Sequence, residues 1–158
     1  MTSFESTKNR AGSDARAAAA IALLGLLAVA TPGSAEGSFR VIANAELTGA
    51  TIGKNRLSAL FLNGAGRWGA TGRQVVLVDQ SLASPVRAAF SREILRMEPR
   101  SVLTYWNRRL VEGKGRPPKV KASDAEVIAF VASKPGGIGY VSATIELPPG
   151  VRVLKVVD

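Results

Sequence analysis

The chain has 158 residues with 21 Lys and Arg against 12 Asp and Glu, a formal charge of +9, and neither Cys nor His. Absence of Cys excludes a disulfide framework and thiol chemistry, and absence of His excludes imidazole metal sites and the usual His general base. A strongly basic balance favours anionic ligands or surfaces through long-range attraction, and it equally describes an ordinary basic surface.

The N-terminus is set apart by its pattern. Residues 17–30 form an uninterrupted apolar run, AAAAIALLGLLAVA, preceded by Lys8, Arg10 and Arg16 and followed by Thr31-Pro32-Gly33-Ser34-Ala35. A basic head, a short apolar core and small residues at a cut site are the marks of a secretory signal peptide. The expected cut follows Ala35, with Ala30 the second choice, so 1–35 is read as signal and 36–158 as one α/β domain. An uncleaved anchor is the competing reading, although the run is short of the roughly 20 apolar residues a spanning helix needs. Cleavage would leave 18 basic and 10 acidic residues, a net charge of +8. It would also leave no stable membrane span and put the domain in the periplasm or outside the cell.

Along the remaining chain, Phe39 to Ala45 reads as a first strand, and Gly49 and Gly53 as a turn. Leu57, Leu60 and Phe61 fall at helical spacing before an Asn63-Gly64 stop signal. Ala65 to Arg73 is expected to be a loop. Residues 74–79 read as a buried strand ending in the polar loop around Asp79, Gln80 and Ser81. Ser84 then caps a helix with Pro85 at its first position, and Val86, Phe90, Ile94 and Leu95 form its apolar stripe.

Pro99 starts the next helix, with Val102, Leu103, Trp106 and Leu110 as its stripe. The basic, Pro- and Gly-rich stretch 111–123 reads as a solvated loop. Ser123-Asp124-Ala125-Glu126 has the capping-box spacing for a short helix, ended by Lys134-Pro135-Gly136-Gly137. Ile138 to Val141 and Val151 to Val157 read as strands. The order β-α-β-α-α-α-β-β points to a mixed, largely buried sheet in an α/β domain.

One place suggests binding. A strand, a polar loop and a helix start aim backbone N–H groups and the positive end of the helix dipole at one spot, a natural anion site. Ser84, Arg87, Gln80 and Ser81 are the candidate ligand-binding residues, with Arg87 offering a bidentate fork suited to phosphate. Asp79, at the strand end, reads as a cap or a solvated group. Phe61, Trp68, Tyr105 and Trp106 read as packing residues, and Arg108-Arg109 as a solvated face.

An ordered set of residues carries a resemblance. Leu57-Ser58-x-Leu60-Phe61-Leu62-x-Gly64 is followed by Trp68, by Ser84-x-x-Arg87-x-x-Phe90, by Tyr105-Trp106 and by Gly137-Ile138-Gly139-Tyr140-Val141. This order resembles the phosphate-binding proteins of bacterial phosphate ABC transporters, which have the type II periplasmic-binding fold. The likeness spans roughly residues 39–142. It implies a three-layer lobe with a mixed sheet between helices, phosphate or a similar small oxyanion as ligand, and an ABC transporter permease or a second copy as partner. In that family a Ser-Gly-Thr turn at a helix N-terminus and a nearby Arg bind the anion within a cleft between two lobes. Here Ser84-Pro85-Val86 stands at the turn, Gln80 stands at the Arg position, and the chain has about half a two-lobed member's length. Ser84 is the residue that carries over directly.

The alternative function is an envelope interaction module that keeps this fold and has lost its ligand. An enzyme is not expected, because there is no paired-carboxylate motif, no P-loop and no base for Ser84. No metal or cofactor is expected, and nucleic acid has only net charge in its favour.

Overall fold

The computed structural model describes residues 38–69 and 71–158. The apolar run 17–30 and both expected cut sites lie outside the described residues. A five-stranded mixed sheet forms the centre. Its strands are β1 (Phe39–Asn44), β5 (Val76–Gln80), β6 (Lys119–Lys121), β7 (Gly137–Ser142) and β8 (Val151–Val153), in spatial order β6-β5-β7-β1-β8. β5 runs parallel to both β6 and β7, while β1 is antiparallel to β7 and β8. Two short ribbons complete the strands: β2 (Thr51–Gly53) with β9 (Lys155–Val157), and β3 (Arg67–Trp68) with β4 (Arg73–Gln74).

The helices lie on both faces of the sheet. On one side are α1 (Lys54–Asn63), α2 (Pro85–Phe90) continuing into a π-helical segment Ser91–Leu95, and α3 (Pro99–Val111). On the other side is α4 (Asp124–Ser133). Strand alternation assigns the residues to these faces. Val41, Ala43, Leu77, Ile138 and Tyr140 pack with Phe61, Phe90 and Trp106 in the larger core. Ile42, Val78 and Val141 pack with Val127, Ile128 and Val131 of α4 in the smaller one. The result is the expected three-layer α/β lobe.

Local chemistry accounts for the boundaries. Gly64 takes a left-handed φ of 69° and its N–H bonds Leu60 O at 3.0 Å, closing α1 where Asn63-Gly64 predicts a stop. Ser123 caps α4 by accepting from the Glu126 N–H, and Glu126 reaches back to the Ala122 N–H. Gly139 lets α4 approach β7, since a Cβ there would stand 2.6 Å from Val78 Cγ1 and 2.9 Å from Val127 Cγ1.

Several expectations are corrected. The segment around Gly49 and Gly53 contains β2, and the stretch 65–73 holds most of a small β3–β4 ribbon. The buried strand begins at Val76, two residues later than expected, and extends through Gln80. The basic stretch 111–123 contains β6, which pairs with β5 at the sheet edge. Val151 to Val157 is two strands, because Leu154 turns inward and donates its N–H to Val41 O between them. In α3 only Val102 and Trp106 of the expected stripe are buried; Leu103 and Leu110 are 42% and 47% exposed. Nothing on the described chain covers the part of α3 that bears them.

Candidate functional site

The site is built at the carboxyl end of β5. The strand delivers Asp79 and Gln80, both buried, and the chain then turns through Ser81-Leu82-Ala83 into α2. Ser84 has extended backbone and its Oγ accepts from the Arg87 N–H at 3.2 Å, so it is the N-cap the sequence predicts, with Pro85 at the first helical position. No acidic residue lies in this first turn.

Three of the four predicted ligand residues, Gln80, Ser81 and Ser84, line one groove here, while Arg87 faces the neighbouring trough beside Asp79. Ser84 Oγ donates to Gln80 Oε1 at 2.6 Å. Gln80 Nε2 donates to Asp124 Oδ1 at 2.7 Å and to Tyr140 O at 3.0 Å. Ser81 is half-buried at the mouth, with its N–H on Lys121 O at 2.9 Å. A groove of about 390 Å³ opens in front of α2, lined by Gln80, Ser81, Ser84, Val86, Ala122 and Asp124 among others.

Arg87 differs from a free anion fork. Its side chain is 7% exposed, and Nη2 stands 3.0 Å from Asp79 Oδ2 while Nη1 donates to Gln80 O at 2.6 Å. Arg87 Nε is buried without a hydrogen-bond partner among the described residues. Asp79, expected to be a cap or solvated, is instead the buried counter-ion of Arg87. Its Oδ1 also accepts from the Gln80 N–H at 2.8 Å and from the Tyr140 hydroxyl. The physical reason is position: the strand extends to Gln80, so Asp79 faces the core rather than the loop.

Burial pushes the Asp79 carboxyl above its ordinary range, against the opposing pull of the Arg87 charge and the Tyr140 hydrogen bond. Burial and the neighbouring Asp79 push Tyr140 far above the usual phenol value, so its hydroxyl stays protonated and donates. Tyr140 and Asp124 join this network without standing out as site residues in the sequence. Asp124 has the sequence position of the α4 start, but its Oδ2 also accepts from the Ser142 N–H at 3.1 Å, tying α4 to β7.

The aromatic expectations are met. Phe61, Trp68 and Trp106 are buried, and the Tyr105 hydroxyl donates to Leu62 O at 2.8 Å. Arg109 is less solvated than expected, because its guanidinium lies 5.5 Å from the Tyr105 ring centre and its Nε donates to Lys114 O at 2.9 Å. No group of His, Cys, Asp and Glu among the described residues could hold a metal ion, and no described helix is long and apolar enough to cross a membrane.

No protein-family profile matches the chain, and no curated protein matches it. Solved structures do. A putative phosphate ABC transporter substrate-binding protein with bound phosphate from Clostridium perfringens is similar with a TM-score of 0.57 at 16% identity, over 75% of this chain and 44% of that one. An ABC-type phosphate transport receptor from Vibrio cholerae gives 0.56 at 11% identity, over 75% and 46%. A possible phosphate binding protein from Planctomyces limnophilus gives 0.56 at 16% identity, over 77% and 42%. The chain spans less than half the length of these structures. Its fold is that of one part of these substrate-binding proteins, as the ordered residues of the sequence imply.

Proposed function

We propose that this domain is an exported, solute-binding-like module that holds a small oxyanion, inorganic phosphate first, in the groove before α2. One observation carries the reading. Gln80, Ser81 and Ser84 line one groove where β5, parallel to both neighbours, ends and a helix begins, and Arg87 is held beside them on Gln80 O. The carboxyl ends of parallel strands are where open α/β sheets take their ligands. The fold likeness to phosphate-binding proteins supports the same ligand class. A non-enzymatic role in the cell envelope, beside an ABC transporter permease or a second copy, belongs to this reading.

The geometry also bears on the strength and the choice of ligand. Arg87 is neutralised by Asp79 and Ser84 is engaged with Gln80, so binding is weak, in the millimolar range, roughly 4 kcal/mol. Asp124 lines the groove, and its carboxylate favours an anion that still carries a proton. Hydrogen phosphate brings one at neutral pH and sulfate does not, so phosphate is preferred.

Calorimetric titration of the chain with phosphate in a non-anionic buffer, with sulfate as comparison, tests this. Saturable one-site binding of phosphate, weaker for sulfate and lost in Ser81→Ala/Ser84→Ala, is the expected result. The second reading, an interaction module whose ligand has been lost, is favoured by the Asp79–Arg87 ion pair, which satisfies the cation internally. Absence of heat and of any thermal stabilisation at about ten millimolar phosphate, where a millimolar site would contribute roughly 1.4 kcal/mol, would establish that reading instead.

A further inference from the structure

Beside the groove, sharing Ser81 with it and reaching Arg87, lies a largely apolar trough of about 300 Å³. It is walled by Leu103 and Leu110 of α3, by Leu82, and by Pro117, Pro118 and Val120 on the way into β6. A second hollow of about 680 Å³ shares Leu82 and Leu103 with it and runs on to Arg100, so the two form one continuous depression. Seven large apolar side chains are conspicuously exposed among the described residues. Four of them line this trough: Leu82 at 45%, Leu103 at 42%, Leu110 at 47% and Val120 at 55%. A fifth, Val111, follows Leu110. Such concentration on one face marks an interaction surface rather than scattered exposure.

Charge identifies the occupant. The acidic residues at the two ends of α3 are engaged: Glu98 takes two hydrogen bonds from Arg92, at 2.9 and 3.0 Å, and Glu112 pairs with Lys114 at 3.1 Å. Arg100 and Arg116 have no carboxylate partner among the described residues. Arg100 lines the depression, and the exposed Arg116 immediately precedes the Pro117-Pro118 wall, whereas Lys119 pairs in register with Val78 and so lies on the α4 side of the sheet. The carboxylate on the floor, Asp79, is already paired with Arg87. The depression is therefore apolar within and cationic at the rim. Its complement is a chain segment with apolar side chains flanked by carboxylates, since opposite charge guides association while buried apolar anchors supply most of the affinity.

We propose that this trough docks an acidic, apolar-bearing segment of a protein partner. The test is selection of a random short-peptide display library on the full chain, with Leu103→Asp/Leu110→Asp as counter-target. Both positions are more than two-fifths exposed, so the variant should melt like the parent. The proposal expects enriched peptides with at least two apolar and several acidic residues. Synthesised, they should bind the parent at least about tenfold more tightly than the variant, a difference of about 1.4 kcal/mol. Binding should weaken with salt and in Arg100→Glu/Arg116→Glu, which leaves the apolar walls intact.

Failure to enrich, enrichment of basic or uncharged peptides, or equal binding to parent and variants would overturn it. Concentration-dependent self-association lost in Leu103→Asp/Leu110→Asp would also overturn it, by naming a second copy as the occupant. None of these readouts depends on phosphate, so failure here and failure of the oxyanion reading are separate results.

Discussion

The helices α2 and α4 begin with the same device and reach opposite electrostatic states. Each has a Ser cap whose hydroxyl accepts from the backbone N–H three residues on. After its cap, α4 carries Asp124 and Glu126 in the first turn, anions that complement the positive end of its own dipole. The first turn of α2 carries none, and holds Arg87 instead. A helix that brings its own carboxylates has little call for an external anion, whereas α2 lacks one. Its cation is balanced from outside the helix, by Asp79 at the end of β5. The difference shows how the charge at a helix start can be balanced by one carboxylate on a neighbouring strand without disturbing the helix.

The largest effect expected from breaking this arrangement comes from Arg87. Arg87→Met leaves the buried Asp79 carboxylate without its counter-ion, and the expected loss is about 3–5 kcal/mol in urea unfolding. Adding Asp79→Asn removes the orphaned charge, so the double variant should recover most of that loss. A double variant no more stable than Arg87→Met would mean that the pair is not the source of the cost.

Next in size are the caps. Ser84→Ala and Ser123→Ala should each cost about 1 kcal/mol, with Ser84→Ala the larger because it also leaves Gln80 Oε1 without its donor. The two should separate on ligand. Ser84→Ala is expected to weaken phosphate binding, while Ser123→Ala leaves it unchanged, because Ser123 does not line the groove. Equal loss in both would make the phosphate effect one of general stability.

What was legible beforehand follows from how local each signal is. The Ser84-Pro85 start, the Asn63-Gly64 stop and the capping box at Ser123 depend on a few neighbouring residues and were readable as they stand. The Asp79–Arg87 pair depends on the chain reversing between β5 and α2, which spacing does not encode. One clue was present: Arg87 lies three residues before Phe90 and seven before Ile94, on the face that is buried. The edge strand β6 was hidden because three residues, Lys-Val-Lys after two prolines, carry no periodicity, and its strand character comes from pairing with β5. The exposure of Leu103 and Leu110 was hidden for the converse reason. They have helical spacing with Val102 and Trp106, but periodicity cannot say whether a second surface exists to receive them. The local elements that bring Gln80, Ser81 and Ser84 together are legible in the sequence; the internal pairing of Arg87 is not.

The smallest effect is on pH dependence, and its sign sharpens the comparison. A carboxylate stabilised by a free cation normally has a lowered pKa and loses its contribution as pH falls. Asp79 is shifted the other way, because burial outweighs Arg87. The folded state therefore holds its proton more tightly than the unfolded chain does. Its contribution is fully present below the unfolded carboxylate value of about 4 and is lost as pH rises through the raised folded value. The stability of the parent minus that of Asp79→Asn should decline as pH rises from about 4, until the folded-state value is passed. Urea midpoints across this range measure it. A parent-minus-variant curve for Asp79 that rises with pH would mean that the ion pair, rather than burial, governs the strand end.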